Sequence, residues 1–179
     1  RRWRAKPQFM GPMSVKMKTP SLFILAFAIA VQTFAADDSV QFDNDQTRVL
    51  VVTSAPGAKS ALHDHKMNLV MIYLDPGMMT LTEPNGQVQT LRFKAGEALW
   101  SPSSGMHISH NLSDHPVRIV EVELKSKPGN PGTTKLPDLD PVKVDPKRYK
   151  VEMENDQVRV VRARYGPHEL GVMHEHALN

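Results

Sequence analysis

Histidine is the residue type in this sequence whose spacing most clearly indicates chemistry. His63 and His65 are separated by one residue, and His107 follows in a later segment. Residues two apart on a β-strand point to the same side, so His63 and His65 can face one ion while Asp64 faces away. Two imidazoles on one side of a strand can bind one divalent ion when further ligands complete the site. The histidines therefore predict either a divalent metal site or a metal-free pocket whose rings bind an organic ligand.

Other chemistries find little support in the residue types. The chain has no cysteine, which excludes disulfides, thiolate ligands and thiolate nucleophiles. No Ser-His-Asp ordering and no phosphate-binding glycine loop is evident. Glu83 and Glu97 lie near predicted turns, and Glu121 and Glu123 alternate with valines on a face that we expect to look outward. Acid–base candidates are therefore few.

The elements that must position the histidines are predicted to be β-strands. Segments rich in β-branched residues, several with alternating polarity, recur at short spacing, and no convincing helical period follows residue 36. Pro84-Asn85-Gly86 lies between two of these segments and predicts a hairpin turn. This pattern indicates an all-β protein, with an antiparallel sandwich or barrel. The predicted strands are 47–54, 68–74, 78–83, 87–93, 97–101 and 117–125.

The first part of the chain is predicted to be a leader. A basic start at Met17 and Lys18 is followed by ten apolar residues and then small residues, which is typical of a secretory signal peptide over 17–35 with cleavage after Ala35. Ten apolar residues are too few for a membrane span, which needs about 20. Residues 1–16 are interpreted as non-native upstream translation. We therefore expect an exported protein, periplasmic or secreted, with no membrane association after cleavage.

The net charge of +3 also belongs to residues 1–35, which carry six basic residues and no acidic one. In the rest of the chain acidic residues outnumber basic ones, so charge gives no argument for nucleic-acid binding.

An internal repeat organises the remainder of the chain. DNDQTRVLVV at 43–52 resembles ENDQVRVVRA at 154–163, and the same offset carries His63 and His65 onto His174 and His176. A proline-rich segment between the copies predicts an extended, exposed linker. The expected organisation is a first domain over 40–126, a linker over 127–148 and an incomplete second copy over 149–179.

The first copy resembles the cupin superfamily. The first cupin motif, G-x5-H-x-H-x(3,4)-E-x6-G, fits Gly57, His63, His65 and Gly77, but Val70 stands where the glutamate is expected. The second motif, G-x5-P-x-G-x2-H-x3-N, fits in spacing, with serine in place of the inner glycine. Its residues here are Gly96, Pro102, Ser104, His107 and Asn111.

This resemblance implies a cupin-type jelly-roll β-barrel, and the repeat implies a bicupin whose second domain is incomplete. It also implies that His63, His65 and His107 face the barrel interior as the metal ligands, with no carboxylate from Val70. Three neutral imidazoles can hold Fe, Mn, Ni, Cu or Zn and leave coordination positions open. His174 and His176 are the corresponding candidates in the second domain. Cupins often dimerise, so a homodimer is a further expectation. We expect pocket-lining positions at Val70, Ile72, Trp100, Met106 and Asn111.

Two histidines of the first copy are expected to lie outside the site. His110 is out of phase with Ser109 and Asn111 and should face outward or lie at the rim, and His115 should be solvated in a turn.

Three functions remain open at the level of sequence. The favoured one is a protein that binds a small molecule, with or without a three-histidine metal. The second is a metal-dependent oxygenase or sugar isomerase, and the third is a metal-free structural or interaction module. Fold alone cannot choose among them, because one fold supports many functions.

Overall fold

A computed structural model of the chain describes residues 37–127 and 135–176. The predicted leader, with the upstream residues 1–16, the signal peptide 17–35 and its cleavage site, lies outside the described residues. Within the described residues, no helix has the length and apolar character required to cross a bilayer.

Two antiparallel sheets form the first copy, as the prediction of an all-β jelly roll requires. The larger has five strands in the order β1-β2-β9-β4-β7, and the smaller has four in the order β3-β8-β5-β6. The strands of the larger sheet are β1 (Asp37–Asp43), β2 (Thr47–Ser54), β4 (Leu69–Tyr73), β7 (Glu97–Ser101) and β9 (Val117–Leu124). Those of the smaller sheet are β3 (His63–His65), β5 (Gly77–Thr82), β6 (Val88–Phe93) and β8 (Ser104–Asn111).

The core lies between these two sheets. Its buried residues come from both layers, and the rings of Tyr73 and Phe93 stack with centroids 3.8 Å apart. Apart from burial, such aromatic pairs contribute roughly 0.5–1.5 kcal/mol to stability. The residues of this cluster are Tyr73, Met79, Phe93, Val117 and Ile119.

Gly77, the last glycine of the first motif, is required by close packing. A Cβ atom there would lie 2.6 Å from Ser113 Oγ and 3.0 Å from side-chain carbons of Phe93 and Val117. The first distance is shorter than real Cβ contacts and the other two are tighter than most, so a larger residue would force these neighbours apart. The motif glycine thus permits the approach of β5 to the core.

The predicted hairpin after residue 83 is confirmed. β5 and β6 pair antiparallel, and Gly86 has a φ of 86° in the turn that joins them. Its amide donates to the Glu83 carbonyl at 2.9 Å. Glycine adopts this backbone conformation without steric cost, which explains the Asn-Gly signal.

Glu121 and Glu123 correct a sequence expectation. They are 8% and 9% exposed and share the inner face of β9 with Val117 and Ile119. Apolar residues occupy both faces of this strand, so alternation alone assigned the two glutamates to the wrong side. Glu123 is accompanied by Arg48, whose Nη1 lies 3.4 Å from its Oε2.

Residues 128–134 of the predicted linker lie outside the described residues, and residues 135–148 are partly folded, in contrast to the extended, exposed linker expected there. It contains a short helix, α1 (Pro141–Val144), whose N-cap Asp140 accepts a bond from the Val142 amide. Asp140 is 2% exposed and forms an ion pair with Arg159. Arg159 compensates the charge of Asp140, because a buried carboxylate without a partner would be strongly disfavoured.

The second copy forms a separate two-stranded sheet of β10 (Tyr149–Glu154) and β11 (Arg159–Ala163). It repeats the geometry of β1 and β2. Both pairs have a register shift at equivalent places, after Val40 in one and after Val151 in the other. In both turns an asparagine side chain, Asn44 or Asn155, accepts bonds from the amides two and three residues later.

Candidate metal centre

The structure brings His63, His65 and His107 together on one side of the smaller sheet. β3 pairs with β8 so that His63 lies opposite His107, with a register shift before His65. One ligand atom from each of the three rings can be chosen so that all lie within 4.8 Å of one another. His107 is buried, and the other two are half-buried. A single ion of first-row size can be reached by three imidazoles in such a cluster.

Local hydrogen bonds fix two of these rings. The Nδ1 atom of His63 lies 2.9 Å from the Ala61 carbonyl and 3.3 Å from Ser60 Oγ, and Nδ1 of His107 lies 3.2 Å from the Gly105 carbonyl. A carbonyl oxygen can only accept, so the nearby Nδ1 carries the proton. The lone pair of each neutral ring is then on Nε2, where a metal can bind.

The electrostatics of the cluster favour neutral rings. Burial, and then the nearby charges of His63 and His107, lower the pKa of His65 to about 4, against a smaller raising effect of Asp64. Burial likewise lowers the pKa of His107, opposed by the Gly105 carbonyl and by the charge of Glu83. Neutral imidazole is the form that ligates metals, so His65 and His107 need no deprotonation at neutral pH.

Three of the residues predicted to line the pocket lie on the face of the larger sheet that points away from the core. Val70 is paired with Trp100 and Val122, and Ile72 is two residues further along the same strand. Met71 and Tyr73, which alternate with them, pack into the core between the sheets. Because successive residues of a strand point to opposite faces, Val70, Ile72 and Trp100 point away from that core. Leu69, which is fully buried, is the neighbouring residue that shares the inner face.

Asn111 and Met106 are the other two predicted pocket-lining residues, and the structure shows the contacts and exposure of each. Asn111 is fully buried, and its amide nitrogen donates to the carbonyls of Ser54, Ala55 and His115 at 3.0–3.1 Å. Its side chain therefore joins three backbone segments. Met106 is 40% exposed and alternates with His107 on β8, so it faces away from the cluster.

Of the remaining histidines in the first copy, His110 lies on β8 outside the three-histidine group. His115 contacts Asp114 through Nδ1 at 2.8 Å and the Pro76 carbonyl through Nε2 at 2.9 Å. Its hydrogen bond to Asp114 is the largest of the effects that raise the pKa of His115. His115 thus holds two loops together in addition to contacting solvent.

In the second copy, His174 and His176 have ring centroids 4.9 Å apart. His174 Nδ1 lies 2.8 Å from the Val172 carbonyl, and its Nε2 lies 3.4 Å from the Tyr149 hydroxyl. The first of these contacts resembles the carbonyl contact at His63. Among the described residues, no third histidine or carboxylate joins this pair in a metal-binding group.

A carboxylate that sequence reasoning did not assign lies beside the cluster. The pairing of β5 with β8 ends at Thr82 and Ile108, so the next positions, Glu83 and His107, are neighbours along the same ladder. The charge of Glu83 acts to raise the pKa of His107. Its position directly before the hairpin turn was visible in the sequence, but the strand register that places it next to His107 was not.

No family model matches the chain. The beta-alanine degradation protein BauB of Pseudomonas aeruginosa is 33% identical over 87 residues, which cover 49% of this chain and 90% of BauB.

Two solved structures are similar to part of this chain. A cupin domain from Bordetella pertussis is 29% identical with a TM-score of 0.48, covering 51% of this chain and 95% of that one. A protein with a double-stranded β-helix domain from Klebsiella pneumoniae is 23% identical with a TM-score of 0.43, covering 53% and 81%. The described part of the first copy is an all-β fold of two antiparallel sheets, and the chain belongs to the family of BauB.

Proposed function

We propose that this protein is an exported cupin that binds a small molecule next to a divalent metal held by His63, His65 and His107. The observation that carries the proposal is the grouping of three ligand atoms within 4.8 Å. The carbonyl contacts at Nδ1 of His63 and His107 support it, because they leave Nε2 available in both rings. Metal-binding histidines commonly have a second-shell partner of this kind.

The donor set favours some ions over others. Three neutral nitrogen ligands add no negative charge, so they suit Fe, Ni, Cu or Zn better than hard ions that prefer carboxylate oxygen. Mn is therefore expected to bind more weakly than Zn. With three protein ligands, positions remain for water or for a carboxylate or hydroxyl of a bound molecule, whose charge the metal would neutralise.

Metal analysis tests this centre. We expect the wild-type chain, incubated with Fe, Mn, Ni or Zn and then desalted, to retain about one equivalent of metal, and His63→Ala and His107→Ala to retain none. His110→Ala is the matched control, because His110 lies on the same strand as His107 but outside the group. A wild-type chain that retains no metal under any of these conditions would contradict the proposal.

The first ligand to test follows from a relative. BauB is named for beta-alanine degradation, so β-alanine and small carboxylates related to it are reasonable molecules for the same position. We expect calorimetry to show binding to the metal-loaded chain that disappears in His63→Ala. Binding of equal strength by the metal-free chain would show that the metal is not part of the ligand site.

An enzyme is the second candidate, as a metal-dependent oxygenase or isomerase, and the position of Glu83 favours it. A carboxylate beside a metal ligand can accept a proton from a molecule bound at the metal. Glu83→Gln preserves the shape of the side chain and removes this capacity. If the protein is such an enzyme, Glu83→Gln should lower kcat and leave metal content unchanged. Turnover as fast as in the wild type would exclude Glu83 as the base.

Export and the second domain are further parts of the proposal. Residues 17–35 support export, and mass spectrometry of the protein made in a bacterial host tests it, with an N-terminus at Ala36 as the expected result. The repeated hairpin geometry of β10 and β11 supports a second cupin copy in which His174 and His176 correspond to His63 and His65. A homodimer is also expected, and light scattering measures it.

A further inference from the structure

A cavity distinct from the histidine cluster lies between β7 and the β10–β11 hairpin. Its volume is about 540 Å³, within the range typical of small-molecule sites. None of its lining residues belongs to the histidine group. Its wall contains two carboxylates and five cations, which are Lys147, Arg148, Lys150, Arg162 and Arg164. We call it the cationic cavity.

The hairpin places like charges directly opposite each other. Lys150 is paired with Arg162 in the ladder of β10 and β11. Beyond the pair of Tyr149 and Ala163, the backbone amide of Arg164 donates to the Arg148 carbonyl at 2.9 Å, which makes these two arginines the next opposed pair on the same face. Like charges at opposed positions of a ladder reduce sheet stability, so the hairpin needs nearby negative charge.

The protein supplies that charge to some of these cations only. Arg162 Nη2 lies 2.6 Å from Glu152 Oε2, and Arg148 contacts Asp145 at 3.1 Å. Within residues 37–127 and 135–176, neither Lys150 nor Arg164 forms a salt bridge. Both nevertheless line the cavity. The pKa of Glu152 is lowered by its hydrogen bond to Arg162 and, to a smaller extent, by the charge of Arg164, so Arg164 lies within electrostatic range of that carboxylate. Lys150 and Arg164 are thus cations of the wall without a salt bridge, and both can contact a molecule that enters the cavity.

We propose that the cationic cavity binds a small anion that carries two or more negative charges, of phosphate or polycarboxylate chemistry. The guanidinium of Arg164 offers two parallel N–H donors to such a group, and the Lys150 ammonium offers a point charge on the neighbouring strand. The bound anion relieves the repulsion between the opposed cations. The site is independent of the metal centre and does not rest on the function proposed above.

Calorimetry with two probes, inorganic pyrophosphate and citrate, tests the site on the whole chain after metal removal. The variants are Lys150→Ala and Arg164→Ala. Arg92→Ala is the matched control, because Arg92 is an exposed cation on β6, in the other sheet. His63→Ala serves as a second control, since phosphates and citrate also bind metals. Circular dichroism establishes that each variant is folded.

We expect saturable binding of at least one probe with a stoichiometry near one. Loss of one charge-assisted contact corresponds to roughly 1.5–3 kcal/mol, so each cavity variant should weaken binding by about tenfold or more. Both controls should bind as the wild type does. Absence of saturable binding of both probes overturns the proposal. An equal loss in Arg92→Ala also overturns it, because the effect would then reflect net charge alone.

Discussion

Single atoms decide whether a group of histidines can hold a metal. At His63 and His107, a backbone carbonyl near Nδ1 selects the tautomer whose Nε2 is free. These carbonyls belong to Ala61 and Gly105, each two residues before the ring. The local backbone of the histidine strands thus prepares the ligands before any ion binds, which reduces the reorganisation needed on binding.

The lowered pKa values give the fold a defined response to acid. His65 titrates near 4 in the folded chain and near 6.5 when unfolded. Between these values the unfolded state binds more protons, so the free energy of unfolding should fall as the pH falls from about 6.5 to about 4. Urea denaturation of the metal-free chain across this range measures the slope, and His65→Gln should make it shallower.

His115 supplies the control for this measurement, because its pKa is shifted in the opposite direction. Its raised pKa contributes stability that is complete below pH 6.5 and is lost as the pH rises through the folded-state value. His115→Gln should therefore leave the loss of stability in acid in place. A slope that is unchanged in His65→Gln would show that burial does not suppress the charge of that ring.

Backbone conformation at one glycine is a second effect at this scale. Gly96 has a φ of 75°, and an added Cβ would meet only Arg162 Nη1, at an ordinary 3.6 Å. Gly96→Ala should therefore lower the free energy of unfolding through backbone strain alone, by about 1–2 kcal/mol. Gly105→Ala is the control, because Gly105 lacks a positive φ and an added Cβ has open space. Equal effects of the two substitutions in chemical denaturation would contradict the strain explanation.

At the scale of elements, Asn111 connects strands that carry the site to those that form the core. It ends β8, and its amide group holds the end of β2 and the loop before β9 through the carbonyls of Ser54, Ala55 and His115. Its Oδ1 accepts a bond from the Ser113 amide at 2.9 Å. The motif asparagine thus stabilises the junction of the two sheets at one end of the sandwich.

Removing this side chain should be costly for stability. Asn111→Ala removes the donor to three carbonyls and the acceptor of the Ser113 amide. The Ala55 carbonyl keeps its bond from the Ala58 amide, and each buried group left without a partner costs about 1–3 kcal/mol. We expect thermal and urea denaturation to show a loss of at least about 2 kcal/mol. Gln89→Ala, on the exposed part of β6, should change stability by less than about 0.5 kcal/mol. A loss in Asn111→Ala as small as in this control would argue against the junction role.

At the scale of the whole molecule, side-chain hydrogen bonds attach the second copy to the first. The hairpin is not paired with an edge of either sheet. Gln157 contacts Asn68 at 2.8 Å and the Ser126 carbonyl, and Arg162 contacts the Gly96 carbonyl. Attachment through a few polar contacts predicts that the hairpin opens more readily than the core.

Hydrogen exchange tests this attachment. Gln157→Ala removes two of the contacts but keeps the turn, because the turn uses the Gln157 backbone amide. We expect faster exchange of the β10 and β11 amides and unchanged exchange in β9. Gln46→Ala is the matched control at the equivalent position of the first copy, and it should leave both regions unchanged. Unaltered exchange in Gln157→Ala would show that other contacts hold the hairpin.

Local patterns predicted six strands closely, and long-range pairing explains those that they missed. Segment 47–54 agrees with β2, and 97–101 agrees with β7. β8 was not predicted as a strand from its composition, because SGMHISHN is polar and contains little alternation. It becomes a strand because β3 and β5 pair with its two edges. These partners are distant in the sequence, so local composition does not reveal the pairing.

The sequence by itself predicted the all-β fold and identified the three histidines that the structure brings together. Strand preference and motif spacing are local properties of the chain, which is why the sequence contains this information. Only the tertiary structure decided which face each residue occupies. It placed Val70 and Trp100 away from the core, and Glu121 and Glu123 toward it. The reason is that a strand with apolar residues on both faces has no preferred side until its neighbours and the opposite sheet are in place.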